Sequence, residues 1–231
     1  MPDGEPQRET RPDVEPWIDR TWWRRMPVMV SVLLSIDLLL AGAYIVTRRL
    51  RDILGSDVVQ LFDLDAEQNV PTWWSTIQLM WVSMLLLNFV DLQRRAGRHA
   101  RWALIAAFGF AMLSLDEMVG LHERVAARYG SQLKVAALAT AVPLLIGVFF
   151  VGRMALKDLT RDRRVLHLVI VGFAVYVLGF AVVDELGEFV ERDTLLWRIE
   201  VLCEETLEMV GITILAWAAW LLVAVHRRKP V

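Results

Sequence analysis

Six long blocks of apolar residues, separated by short charged stretches, constrain this chain more than any other feature. A helix needs about 20 apolar residues to cross the hydrocarbon core of a bilayer. Barrel strands would be about 10 residues long and would alternate in polarity, whereas these blocks are longer and apolar on all sides. The blocks therefore predict six transmembrane helices, at Pro27–Thr47, Trp73–Leu92, Trp102–Leu121, Val135–Leu156, Val165–Leu186 and Ile199–Val225.

The composition predicts an all-α, polytopic membrane protein. Hydrophobic residues make up 56% of the 231 positions, above the roughly 45–50% of soluble proteins. Residues 1–20 are rich in proline and charge and are predicted to be a disordered cytoplasmic tail. Residues 21–231 are predicted to form one six-helix domain with an outer loop at 48–72. The single cysteine, Cys203, excludes disulfides and cysteine-rich metal sites within one chain.

The distribution of basic residues predicts the orientation. With a cytoplasmic N-terminus and six spans, 17 of the 25 Lys and Arg residues lie on the inner side. The positive-inside rule therefore favours cytoplasmic N- and C-termini. The excess of Arg over Lys, with abundant Ala, Val and Leu, indicates a bacterial source, and so the inner (cytoplasmic) membrane.

Acidic residues collect at the opposite, outer face, where this topology places 17 acids against 8 bases. Asp116 and Glu123 lie seven residues apart at the end of the third span, so they are only about 20° apart on a helix. The end of the fifth span and the start of the sixth each carry acids at i, i+4 spacing, which lie on one helix face. These acids are Asp184 and Glu188 in the fifth span, and Glu200, Glu204 and Glu208, with Glu205 beside them, in the sixth.

Carboxylates at this depth predict a divalent-metal site. Acids near the bilayer are costly and face a protein interior or a wet cavity, where like charges require protons or cations. One histidine among many carboxylates favours iron, manganese, magnesium or calcium. A carboxylate-bridged dimetal site is also compatible with this set, but the usual Glu-x-x-His elements are absent. The predicted ligands are Asp116, Glu117, His122, Glu123, Asp184, Glu188, Glu204, Glu205 and Glu208.

Plainer interpretations stay open beside the metal site. Acids at helix ends are often solvated at headgroup level, which is expected of Glu191 and Glu200. In the same way, His122 alone is compatible with an ordinary interfacial histidine.

Three further expectations concern the first span and the outer loop. Asp37 lies mid-span, where an ionisable residue is a functional hypothesis; it is expected to be protonated or to pair with Asn88 or Gln78. Thr72, after Pro71, is expected to cap the second span. The loop acids, Asp63 among them, are candidates to close over the acidic cluster.

Two strings give a resemblance. FDLDAEQNVPTW at 62–73 and LDEMVGLHE at 115–123 resemble motifs of a group of bacterial multipass membrane proteins without an assigned activity. The resemblance implies a multipass helical fold and supplies no substrate and no catalytic residues.

Three functions remain open from the sequence. The first is an outer-face metal site which, if it is catalytic, would act on a lipid-like substrate through metal-activated water or dioxygen. The second is a cation or proton transporter or channel with Asp37 as a relay. The third is a structural accessory subunit, in a homo-oligomer or a larger membrane complex. Membrane lipids are the expected partners in each case, and nucleic acid is not.

Overall fold

The chain is described by a computed structural model that covers residues 26–66, 68–120, 162–183, 189–192 and 194–227. The regular structure within these ranges is helical, and the last turns of α6 continue as a π-helical segment, Leu178–Val183. The helices are α1 (Val28–Arg49), α2 (Arg51–Leu54), α3 (Ser56–Leu61), α4 (Val70–Arg95), α5 (Arg101–Val119), α6 (Arg163–Val177) and α7 (Leu195–Arg227).

Five of these helices, α1, α4, α5, α6 with its π-helical extension, and α7, are long and apolar enough to cross a membrane. The all-helical prediction is therefore confirmed for the described residues. Each of the five coincides with a predicted span to within four residues at the ends that are described. The predicted fourth span, Val135–Leu156, lies outside the described residues. The short helices α2 and α3 lie in the loop between α1 and α4.

The start of α4 differs from the prediction. The helix begins at Val70, and Asn69 is its cap, because the Asn69 side chain accepts a hydrogen bond from the Thr72 backbone N–H at 3.1 Å. The prediction that Thr72 caps this helix was therefore wrong. Pro71 lies within the first turn, where its missing N–H removes no helical hydrogen bond. At the end of α5, Gly120 adopts a left-handed conformation with φ of 62°, which closes the helix.

Helix α7 is the centre of the bundle. It packs against α1, α4 and α6, and 56% of its most apolar stretch is buried, against 17–39% for the other four long helices. Its Ile212, Leu215, Ala216 and Ala219 form one core cluster with α1 and α4. The other long helices expose many large apolar side chains, such as Leu38 and Leu39 of α1 and Phe108 of α5.

The two ends of the bundle are defined by which helix ends meet there. At one end, here called the loop end, Tyr44 of α1, Leu64 of the loop and Val201 of α7 share a core cluster. At the opposite end, Ala103 near the start of α5 and Val165 near the start of α6 pack with Leu222 near the end of α7. Helix α5 thus begins at the opposite end and reaches the loop end with its last turn.

Helices α6 and α7 approach each other closely through three glycines. A Cβ atom added at Gly211 would lie 2.7 Å from the backbone nitrogen of Tyr176, and one at Gly179 would lie 2.8 Å from the carbonyl oxygen of Glu204. A Cβ at Gly172 would meet Leu215 at 2.9 Å. Small residues let membrane helices approach so that dispersion contacts hold them together. The glycines therefore set the distance between α6 and α7.

Gly211→Ala is expected to lower the free energy of unfolding by about 1–3 kcal/mol, as overpacked contacts do. The added methyl group would force the Tyr176 backbone away from α7. SDS-induced unfolding of the detergent-purified protein measures the effect. Gly42→Ala is the matched control, because its added Cβ would meet no atom within 4 Å beyond its own stretch of α1. Equal loss of stability in both variants would contradict the close approach.

Candidate functional site

A buried polar network surrounds Asp37 in the middle of the bundle. Asp37 is 0% exposed, and its Oδ1 atom accepts hydrogen bonds from Trp74 Nε1 at 2.6 Å and from Gln78 Nε2 at 2.8 Å. Its Oδ2 atom accepts one from the Thr213 hydroxyl at 2.9 Å. The Gln78 amide also donates to Thr213 Oγ1 at 2.8 Å. One carboxyl group thus joins α1 to α4 and α7.

This network decides between the two partners expected for Asp37. Gln78 is a partner, as predicted. Asn88 lies near the opposite end of the bundle, where it accepts a hydrogen bond from Arg227 at 3.4 Å. The donors to Asp37 are neutral, so they hold the carboxyl group by hydrogen bonds and dipoles. Buried polar groups that are satisfied in this way fix the alignment of the helices that carry them.

The described acids of the predicted metal site converge at the loop end. Glu205 is half-buried and lies within electrostatic range of Glu208, Glu117, Glu204 and Asp65. These residues come from α5, from α7 and from the segment between α3 and α4. The structure therefore brings Glu117 of α5 together with the acidic start of α7.

Tyr176 adds a hydroxyl-bearing side chain to this group. It lies on α6, within electrostatic range of Glu208, Glu117, Glu205 and Asp116. Its ring stacks on Phe180 with centroids 6.3 Å apart. Hydrophobic spacing does not distinguish such a tyrosine from its apolar neighbours, which is why the sequence did not single it out.

The acids do not form a complete metal site within the described part of the chain. Among residues 26–66, 68–120, 162–183, 189–192 and 194–227, no three His, Cys, Asp or Glu side chains lie close enough together to hold a metal ion. The predicted ligands His122, Glu123, Asp184 and Glu188 lie outside the described residues. The predicted ligand set as a whole stays a prediction.

The structure also places two acids of the loop before α4 and two acids near the start of α7. Asp63 forms a salt bridge with Arg48 at 2.6 Å, so it anchors the loop to the end of α1. Asp65 lies within electrostatic range of Glu205, which agrees with the expectation that loop acids approach the outer-face acids. Glu191 is exposed, as expected of a headgroup-level acid, whereas Glu200 is half-buried.

The neighbouring tryptophans Trp73 and Trp74 of α4 differ in environment. Trp73 is 67% exposed, which fits an anchor in the membrane interface. Trp74, the next residue, donates its indole N–H to Asp37. The helical rotation between neighbours turns one ring outward and the other inward, so a WW pair cannot be assigned a single role.

Comparison with known proteins gives one family. Residues 28–224 match a family described as Domain of unknown function (DUF8692). The chain belongs to this family. No curated protein and no solved structure matches the chain. The matched residues include both the Asp37 network and the described acids at the loop end. Because the family is described as of unknown function, the match assigns no activity to either group.

Asp37→Ala is expected to lower the free energy of unfolding by about 2 kcal/mol, because three donors lose their acceptor and each such bond in a membrane protein contributes about 0.6 kcal/mol, with a maximum near 1.7. Thr213→Val removes two bonds, the one donated to Asp37 and the one accepted from Gln78, and is expected to cost about 1 kcal/mol. Unfolding in SDS measures both.

Ser35→Ala is the control for this series. Ser35 lies on α1, is exposed, and its hydroxyl donates to the Ser31 carbonyl of the same helix. Its removal should leave stability unchanged. If Asp37→Ala is as stable as Ser35→Ala, the network does not hold the three helices together.

Proposed function

We propose that this DUF8692 protein binds a divalent cation through carboxylates at the loop end of its helical bundle. The observation that carries the proposal is the position of Glu205. It is half-buried in the bundle, and carboxylates from α5, α7 and the α3–α4 segment lie within electrostatic range of it.

Carboxylates gathered in this way raise the energy of the protein unless a cation or a proton accompanies them. Acidic side chains in membrane helices are expensive and mark ion sites when they gather in the interior. The repulsion between carboxylates grows as the surroundings become less polar. A divalent cation converts this repulsion into attraction, and oxygen ligands suit magnesium, calcium, manganese and iron.

The proposed ligand set combines two parts. The described part is Glu205 with the acids in electrostatic range of it, Glu208, Glu204 and Glu117, and Asp116 in the same turn of α5 as Glu117. His122, Glu123, Asp184 and Glu188 complete the set as sequence-based proposals. A cation at this depth would act on a lipid-like substrate, for which it supplies water activation or charge neutralisation.

The proposal includes a topology of six membrane crossings. Helix α5 ends at the loop end, whereas α6 begins at the opposite end. We propose that the apolar block Val135–Leu156, which is long enough to span a membrane, makes the additional crossing between them. With the basic residues on the inner side, the loop end faces outward from a bacterial inner membrane.

Two other functions remain as alternatives. Transport of protons or cations through Asp37 would need this carboxyl group to exchange partners, yet both of its oxygens are held by donors from α4 and α7. That geometry favours a structural role for Asp37. A structural accessory role in a larger membrane complex predicts a co-purifying partner protein, which the cation proposal does not require.

The decisive experiment is equilibrium dialysis of the purified, chelator-stripped protein against manganese, magnesium, calcium or ferrous iron, followed by metal analysis. Wild type is expected to retain one of these metals stoichiometrically. Glu205→Gln and Glu208→Gln are expected to weaken retention by about tenfold or more, because each removes a charged ligand.

Glu191→Gln is the matched control, because Glu191 is an exposed acid just before α7. It should bind metal like wild type. Folded wild-type protein that retains none of the four metals would overturn the proposal. Equal loss in Glu191→Gln would show that binding follows overall surface charge and not this cluster.

A further inference from the structure

A second polar group at the loop end lies around Arg48, where α1 finishes. The Arg48 guanidinium carbon lies 5.5 Å from the centre of the Tyr44 ring and 5.9 Å from that of the Trp197 ring. Its Nη2 atom donates to both carboxylate oxygens of Asp63, at 2.7 and 2.6 Å. These contacts hold the guanidinium group in one orientation between α1, the loop and α7.

Arg198 approaches the same place from α7. It follows Trp197, on which the Arg48 guanidinium group rests, and it lies within electrostatic range of the Tyr44 hydroxyl. It also lies in the first turn of α7, where the helix dipole adds positive potential. Two guanidinium groups thus lie within electrostatic range of one phenol.

Each of these three side chains holds a buried polar atom without a partner. Within the described part of the chain, the Nε atoms of Arg48 and Arg198 and the hydroxyl of Tyr44 form no hydrogen bond. Tyr44 is only 2% exposed, so water does not satisfy its hydroxyl from the surface. Buried donors are normally paired, and an orphan calls for a ligand or a bound water. Three donors of this kind suit an anion with several oxygens.

We infer that Arg48, Arg198 and Tyr44 form a binding site for a phosphate-class oxyanion, either a lipid headgroup or free phosphate. Arginine presents fixed donors that match phosphate geometry, and it is weakly hydrated, so it serves well in half-buried sites. Asp63 orients Arg48 by holding Nη2 and leaves Nε for the anion.

The surroundings of this oxyanion site favour an anion that belongs to a lipid. Leu195 and Leu196, at the start of α7 beside Arg198, are 70% and 68% exposed. Ile53, in the adjoining loop helix α2, is also exposed. Apolar side chains next to arginines and tryptophans are typical of the membrane interface, the level at which lipid phosphates lie.

The oxyanion site is independent of the proposed cation site, although the two are neighbours. Asp65 lies within electrostatic range of both Tyr44 and Glu205. The oxyanion site uses none of the proposed metal ligands. Its test is therefore run in the presence of a chelator, where failure of the cation proposal has no influence.

The test is calorimetric titration of the detergent-purified full-length protein in EDTA with three probes. They are dihexanoyl phosphatidylglycerol, inorganic phosphate, and dihexanoyl glycerol, which lacks the phosphate. We expect saturable binding of phosphatidylglycerol and none of dihexanoyl glycerol. Binding of inorganic phosphate with similar affinity would identify free phosphate as the source of the oxyanion, and its absence would identify the lipid headgroup.

Two variants and one control locate the binding. Arg198→Gln should weaken it by about tenfold or more, because it removes a charged donor. Tyr44→Phe should weaken it by about fivefold while keeping the ring under Arg48, since it removes one neutral hydrogen bond. Arg49→Gln, which removes an exposed charge next to Arg48, should bind like wild type.

Three results would overturn the inference. The first is that neither phosphate-bearing probe binds. The second is that dihexanoyl glycerol binds as tightly as phosphatidylglycerol, because acyl contacts would then explain binding. The third is that Arg198→Gln and Tyr44→Phe bind as tightly as Arg49→Gln, which would place the anion elsewhere.

Discussion

The hydrogen bonds to the Asp37 carboxyl group hold together the three helices on which the rest of the described bundle depends. An acidic side chain cannot remain in an apolar interior without donors, and here α4 and α7 supply all three. The carboxyl group therefore specifies which faces of α4 and α7 turn toward α1. Packing of aliphatic side chains alone tolerates rotation of one helix against another, because lipid tails are as apolar as leucine.

The alignment set by Asp37 extends to the loop end along two helices. On α1, Asp37 and Tyr44 are seven residues apart and both are buried, so they share the inner face. On α7, Glu205 lies eight residues, or about two turns, before Thr213. Close packing at Gly179 and Gly211 then brings α6 against this part of α7. The acids around Glu205 and the oxyanion site around Arg48 are positioned by the same contacts.

Much of this architecture could be read from the sequence because membrane spans are local features. A run of about 20 apolar residues can be recognised without knowledge of its neighbours, and five such runs are helices in the structure. The i, i+4 spacing of Glu204 and Glu208 likewise predicts a shared face from the helix repeat alone. Convergence of Glu117 with Glu205 was expected because both acids lie at the same depth.

Other features could not be read locally because they depend on tertiary contacts. Thr213 lies 176 residues from Asp37 along the chain, and nothing in its local sequence distinguishes it from a threonine bonded to its own helix. Arg48 and Arg198 were counted only as outer charges, yet Trp197 and Tyr44 bring them together. Asn69 replaced Thr72 as the cap of α4 because its amide also bonds to the loop carbonyl of Ala66, at 2.7 Å.

The most direct test of the cation site uses Cys203, the single cysteine, which is exposed and adjoins Glu204 on α7. A nitroxide spin label at Cys203 should be broadened by manganese, because a paramagnetic ion among these carboxylates would lie close to it. A cation site here predicts broadening that saturates at stoichiometric manganese and is reversed by excess magnesium or calcium. A nitroxide spectrum unchanged by stoichiometric manganese, in protein that remains folded, would contradict it.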